Sequence, residues 1–358
     1  MHPTATLPKI VALFALAGIL ALGSCTSSPD EAAHPTSPGP TPTLTAVRPT
    51  PGSTVVPVPA VGAYFGTHFS AGTADREATI TEQEQALGRK FAIDHVYDDW
   101  DVPFPSSYDR WSVAQGHVLF LSWTTRRGSD EPTAKWSDIA AGAYDGLLDR
   151  RAAAIAALNS PVLMSFDHEP GAQVGTSADR SGSPEEYIAA WRHIVERFAA
   201  AGVRNVGWVW TLTAFSFREG DPDAFYPGDE VIDWVGADGY ANIECPWLTV
   251  PWRSWPEIFG AAADFAARHD KPFIVAEYSA REDSADPGRK AEWLEGAIEA
   301  VNSMPALKAI VAFNSTRSCS SPIATSDQTL AAYRTVGASP AFSALVDNPA
   351  DAASTRAP

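Results

Sequence analysis

The chain has 358 residues, 45% of them hydrophobic, and a formal net charge of −17. That length suits one barrel with tails, and the apolar content supplies a large core. The acidity argues against a nucleic-acid partner, because phosphate binding needs a basic surface; it fits an exported protein acting on a neutral polymer.

Residues 1–24 read as a targeting segment and stand outside the fold. Lys9 is the sole Lys or Arg before residue 25, and Ile10 to Leu22 is an apolar run of 13 residues. A membrane span usually needs about 18. Leu22-Gly23-Ser24-Cys25 resembles the lipobox of bacterial lipoproteins. Cleavage before Cys25 and lipidation of its thiol would tether the protein to the outer face of a membrane. The alternative is an ordinary secretory peptide and a secreted product. Residues 25–59 read as a linker: nine Pro and eleven Ser or Thr fall between 26 and 59, so the segment has little with which to build a core.

The body spans residues 60–339 and carries eight apolar strand candidates, Val61–Phe69, Phe91–Tyr97, His117–Trp123, Val162–Phe166, Val206–Thr211, Val231–Ala237, Phe273–Ala276 and Ala309–Phe313. Helical patterns fall between them, at Asp75–Leu87, Ala143–Leu158, Pro184–Ala201, Trp255–Arg268 and Arg289–Asn302. The third is the clearest. Ser183 is placed as N-cap, Pro184 takes the first helical position, Glu186 completes a capping box, and Gly202 ends the helix. Eight strands alternating with helices predict an α/β fold, a (β/α)8 TIM barrel. An open doubly wound sheet would normally bring a Gly-rich phosphate loop, and no G-x-G-x-x-G occurs. Residues 340–358 are Ala-, Ser- and Pro-rich and predict a weakly packed tail.

Glu169 follows the fourth strand and Glu277 closes the seventh. Carboxylates at the C-terminal ends of barrel strands stand where such enzymes keep their chemistry, and two across one mouth are what glycoside hydrolysis requires. Aromatic residues at strand ends offer stacking surfaces for sugar rings. Trp100, Trp123 and Trp210 stand at or just past strand ends, and Trp247, Trp252 and Trp255 cluster after the sixth. His95 ends the second strand and is open to two readings, a sugar contact or a core histidine.

The segment Phe225-Tyr226-Pro227-Gly228-Asp229-Glu230 followed by Val231-Ile232-Asp233-Trp234-Val235-Gly236-Ala237-Asp238-Gly239-Tyr240 closely resembles the strand-six region of glycoside hydrolase family 26. His168-Glu169 resembles that family's acid/base motif, and Lys271 to Glu277 continues the likeness. The resemblance implies a retaining double displacement with Glu277 as nucleophile and Glu169 as acid/base. It implies that Tyr240 hydrogen-bonds the nucleophile and that Asp238 and His168 order the sugar. Two departures stand out. Pro170-Gly171-Ala172-Gln173 follows Glu169 where a mannanase-type site has Asn-Gly and a nearby Trp, and Phe313-Asn314-Ser315 stands where an aromatic platform is expected.

Cys245 and Cys319 remain once Cys25 is set aside, and an exported protein can hold them as a disulfide; two free thiols are the alternative. There is no H-E-x-x-H zinc motif and no G-x-S-x-G elbow, and no metal or cofactor is expected. The expectation is a monomeric, tethered or secreted hydrolase of a β-linked polysaccharide or oligosaccharide, endo-β-1,4-mannanase-like. The alternatives are a β-1,3-xylanase, a mixed-linkage β-glucanase, or a polysaccharide-binding lipoprotein without turnover.

Overall fold

A computed structural model describes residues 45–47, 56–70, 73–127, 133–171, 181–245, 248–315 and 321–346. Eight strands form the frame: β1 (Tyr64–Phe69), β2 (Ile93–Asp98), β3 (Val118–Trp123), β4 (Val162–Phe166), β5 (Val206–Thr213), β6 (Trp234–Ala241), β7 (Phe273–Ala280) and β8 (Leu307–Asn314). Each pairs in parallel with the next, and β1 pairs with both β2 and β8, which closes the barrel. A helix follows each strand: α1 (Thr73–Leu87), α2 (Ser107–Ala114), α3 (Asp145–Leu158), α4 (Pro184–Ala200), α5 (Ala214–Glu219), α6 (Trp255–Arg268), α7 (Arg289–Ser303) and α8 (Asp327–Ala338). The expected (β/α)8 barrel is therefore the observed one. The capping box of α4 is present, with Ser183 accepting from the Glu186 N–H, and its inner face buries Tyr187, Trp191, Ile194 and Phe198.

Side-chain alternation separates two cores. One set of strand residues, including Tyr64, Ile93, Phe120, Leu163, Val209 and Ile274, fills the barrel interior. The other set, including Phe65, Leu121, Met164, Val235 and Phe273, packs outward under the helices. Val56, from the segment read as a coreless linker, is 3% exposed and joins the interior cluster. The Tyr64 hydroxyl donates to the Pro57 carbonyl at 2.8 Å, so residues 56–57 close the barrel beside the first residue of β1.

The region from residue 340 also corrects the expectation. Phe342 is fully buried against Phe65, and Arg89 donates to its carbonyl. Ala344–Val346 pairs in parallel with 45–47, and Ala344 also pairs with Tyr64. The segment 340–346 is thus part of the body.

Two strand boundaries matter for the site. β6 starts at Trp234 rather than Val231, because Asp229–Val231 form a 3-10 turn. It then runs on through Asp238 and Tyr240, which point inward with Trp234. β7 runs on to Ala280, so Glu277 lies within a strand and does not follow one. The pairing of β7 with β6 slips by one residue, Val275 facing Ala237 and Glu277 facing Asp238. Ile274 and Ala276 belong to the interior cluster, while Phe273, Val275, Tyr278 and Ala280 pack outward. The alternation therefore flips between Ala276 and Glu277. Without that bulge Glu277 would share the outward parity of Phe273 and Val275.

Gly239 separates Asp238 and Tyr240 on the outward face of β6. A Cβ there would come within 2.5 Å of the Phe259 ring and 2.7 Å of Ile258, both on α6. Gly239→Ala is expected to lower unfolding stability by about 1–3 kcal/mol through overpacking, measured by denaturant titration; an unchanged midpoint would contradict this packing.

Candidate active site

Five half-exposed side chains, Tyr97, His168, Glu169, Tyr240 and Phe313, surround the buried carboxyls of Glu277 and Asp238 at the C-terminal end of the barrel. Tyr97 sits two residues past His95 on β2, and Tyr240 two past Asp238 on β6, so both follow the inward alternation. The Tyr97 hydroxyl donates to Glu277 Oε1 at 2.5 Å, and the Tyr240 hydroxyl donates to Glu277 Oε2. Each carboxylate oxygen thus has its own phenol donor. Burial raises the Glu277 pKa and the two hydrogen bonds pull it back down. Both phenols are held well above their ordinary range, by burial first and then by the charge of Glu277, so they remain donors.

Glu169 is held differently. Burial and the neighbouring charge of Glu277 push its pKa from 4.5 up to about 8. Its backbone has a left-handed φ of 56°, and its N–H donates to the Thr211 carbonyl at 2.9 Å. Asp238 is 3% exposed, and burial with the charges of Glu277 and Glu169 raises its pKa well above the usual carboxylate range. Carboxyls this close avoid repulsion by retaining a proton among them. The site therefore presents one carboxylate supported by two donors beside a carboxyl that keeps its proton to neutral pH.

His168 is pushed down to about 4 by burial, with the Arg126 charge second, so it is a neutral imidazole. His168, Asp238 and Glu277 bring ligand-type atoms within 4.8 Å of one another. A cation there would have to displace the phenols from Glu277 and the proton from Asp238, so the set fits poorly as a metal centre. The acidic residues at and just past the end of β2 are ion-paired: Asp98 with Arg151 at 2.6 Å, Asp99 with Arg126 at 2.8 Å and Asp101 with Arg127 at 3.2 Å.

Several residues expected to contact substrate do not line the mouth. Trp100, Trp123 and Trp210 have no exposed surface, and Trp255 has 2%. Alternation explains two of them. Ser122 and Val209 face inward, so their neighbours Trp123 and Trp210 pack under the helices. Trp100 stacks on Trp123 with ring centres 4.2 Å apart, and Trp255 stacks on Trp293 at 5.2 Å. His95 is 1% exposed and lies one layer below the mouth. Its Nε2 meets Ser122 Oγ at 2.8 Å, its Nδ1 meets the Ala276 carbonyl at 3.2 Å, and its ring stacks on Phe120 at 4.0 Å. It supports the mouth without reaching a ligand. Trp247, Cys25, Cys319 and the side chain of Cys245 lie outside the described residues.

Two residues of the mouth, Tyr97 and His68, carry no site signal in the sequence reading, and a third, Phe313, figures there only as a departure from the expected platform. Tyr97 was masked as the end of an apolar run, although its spacing from His95 places it inward. Phe313 follows Ala309 and Val311 at every second position of β8 and stands edge-on to Tyr97 at 6.1 Å and to Tyr240 at 6.3 Å. An aromatic side chain therefore does occupy the end of strand eight. His68, at the end of β1, stacks on Phe313 at 4.9 Å.

Because Glu169 binds a proton in the folded protein at pH values where the unfolded chain has released it, its share of stability is full below the unfolded pKa of 4.5. That share is lost as pH rises toward about 8. Glu169→Gln cannot titrate and is expected to gain about 1–3 kcal/mol on the wild type between pH 5 and 8, solvent screening at the mouth limiting the gain. Denaturant unfolding across that range measures it, and a gap that does not widen with pH would refute the burial of this group.

Comparison with known proteins places this geometry. Residues 136–263 match the family model described as Glycosyl hydrolase family 26. The chain is 30% identical over 287 residues to Endoglucanase H of Acetivibrio thermocellus, covering 76% of this chain and 30% of that protein. It is 26% identical over 145 residues to a Beta-1,3-xylanase TXYA of Vibrio sp, covering 40% of this chain and 28% of that one. The chain thus spans under a third of the length of these curated relatives. Among solved structures, a modular endo-β-1,4-mannanase from Cellulomonas fimi superposes with a TM-score of 0.57 at 18% identity, covering 79% of this chain and 72% of that one. A family 26 β-mannanase from Bacteroides ovatus gives 0.56 at 18%, covering 80% and 90%. At these identities the structural likeness speaks to the fold.

Proposed function

Because the chain belongs to glycosyl hydrolase family 26, we propose that its barrel hydrolyses a β-linked polysaccharide by a retaining double displacement, with Glu277 as nucleophile and Glu169 as acid/base. The observation that carries this reading is the unequal treatment of the two carboxyls. Glu277 accepts a hydrogen bond on each oxygen, which favours its ionised form. Glu169 holds its proton up to about pH 8. A retaining pair needs that division, with the carboxyls about 5–5.5 Å apart.

In the first step Glu169 gives its proton to the glycosidic oxygen while a Glu277 oxygen attacks the anomeric carbon. The C–O bond to the leaving sugar breaks and a glycosyl ester forms. In the second step the Glu169 carboxylate takes a proton from water, the water oxygen attacks the same carbon, and Glu277 is released. Tyr97 and Tyr240 hold the nucleophile ionised and oriented throughout. Asp238 and His168 offer hydrogen bonds to the hydroxyls of the sugar being cleaved, and the half-exposed rings of Phe313 and Tyr97 offer apolar faces to its C–H surface.

We take a β-glucan as the first substrate to test. The likeness to Endoglucanase H runs over three quarters of the chain, and the chain departs from the mannanase pattern directly after Glu169. β-1,4-Mannan and β-1,3-xylan follow. Export with a tether through a lipidated Cys25, a Cys245–Cys319 disulfide and a monomeric state complete the proposal, all supported by sequence alone.

The full chain is expected to release reducing ends from at least one of these polymers. Glu169→Gln should lower that rate by about 10²–10⁴-fold and Glu277→Ala by at least as much. The kcat/KM of the wild type should fall above about pH 8 as Glu169 loses its proton. Binding without release of reducing ends from any polymer in the panel would reverse the assignment in favour of a non-catalytic binding protein. Intact mass of the exported protein tests the tether: a diacylglycerol adduct on a chain beginning at Cys25 is expected, and an unmodified Cys25 removes it.

A further inference from the structure

The turn that delivers Glu169 is held by a carboxylate that the mechanism above does not use. Asp167, the first residue past β4, is 8% exposed and has a left-handed φ of 41°. Its Oδ1 accepts from the Thr125 backbone N–H at 3.1 Å. Its Oδ2 accepts from the Thr125 hydroxyl at 2.9 Å and from the Trp136 indole N–H at 2.7 Å. Thr125 lies just past β3 and also meets Ser181 Oγ at 3.2 Å, ahead of α4. Trp136 is fully buried and opens a short helix, Trp136–Ala140. One buried side chain therefore ties together the exit of β3, that helix and the exit of β4.

The backbone is anchored on both sides of the same turn. Asp167 N–H donates to the Trp123 carbonyl at 2.8 Å, and Glu169 N–H donates to the Thr211 carbonyl at 2.9 Å. Between these anchors stands only His168. Two non-glycine residues with left-handed backbone in three positions are strained, and persist where the surroundings over-determine them. Three donors converging on a buried carboxylate supply that constraint, as charge-assisted hydrogen bonds.

We propose that Asp167 is the positioning residue for Glu169: its clamp on Thr125 and Trp136 fixes the left-handed turn that holds the Glu169 carboxyl in place beside Asp238. This rests on the reading of Glu169 as acid/base. Asp167 itself touches neither substrate nor reacting atoms. Its carboxylate cannot be replaced by an amide, because an Asn NH2 would face a donor wherever it pointed among these three.

The test uses the full chain with three variants. Thr125→Val removes one hydroxyl donor, Trp136→Phe removes the indole N–H, and Asp167→Asn changes the acceptor itself. The first two keep the proposal testable should the third fail to fold. Two readouts are taken on folded protein: the titration of the Glu169 carboxyl followed by 13C NMR, and kinetics on the best polymer beside an aryl β-glycoside whose good leaving group needs no acid. The Glu169 midpoint is expected to fall from about 8 toward its ordinary value. The kcat on polymer should drop about 10–100-fold with little change in KM, while kcat/KM on the aryl substrate, which reports bond cleavage without acid assistance, is largely spared. Variants that lose stability yet keep the wild-type Glu169 midpoint would reduce Asp167 to a structural role and overturn the proposal. If Glu169→Gln and Glu277→Ala retain full cleavage, the functional assignment falls instead, and the NMR midpoint still decides whether Asp167 governs the turn.

Discussion

A closed parallel barrel admits only every second residue of each strand to its axis, and this alternation governs the site. Tyr97, Asp238, Tyr240 and Phe313 reach the mouth because they continue the inward rows begun by Ile93, Trp234 and Val311. Glu277 stands on the wrong row. One extra residue at Ala276 turns it inward, and the same residue seats it opposite Asp238 rather than past it. The cluster of carboxyls and phenols is therefore a product of one local break in a repeating pattern.

Once gathered, the ionisable groups must divide few protons around two buried carboxyls, Glu277 and Asp238. Burial alone would neutralise every carboxyl. The two phenols tip the balance for one of them, since each O–H is satisfied only by a negative or lone-pair-rich partner. Glu169 and Asp238 hydrogen-bond to each other and lie near the charge of Glu277, and burial outweighs the hydrogen bond that Glu169 gains. The difference in proton affinity thus arises from donor placement, and the side chains themselves, two glutamates, are chemically the same.

Much of this was legible in the sequence. Eight apolar runs spaced by helical patterns predicted the closed barrel, and the two glutamates fell at the ends of the fourth and seventh runs. Tryptophan misled, because its size draws attention to strand ends irrespective of which way the strand faces. Read by parity against Ser122 and Val209, Trp123 and Trp210 belong outside the barrel. Tyr97 and Phe313 could have been found by the same rule. The bulge at Ala276 could not, for nothing in Val275-Ala276-Glu277 distinguishes it from regular strand. Asp167 was equally hidden: its partners lie 42 and 31 residues away in sequence, and only the folded barrel brings them together.

The plug formed by Val56 and Pro57 sets where the chain enters the barrel. Tyr64 begins β1 and Glu277 lies near the far end of β7, so the chain joins the barrel at the end opposite the mouth. There the chain packs against the start of β1, beside the strand at Ala344–Val346. None of these contacts involves a residue of the mouth. Entry of the chain and assembly of the carboxyl cluster therefore use opposite ends of the same strands, and packing at one end leaves the geometry of the other to its own hydrogen bonds.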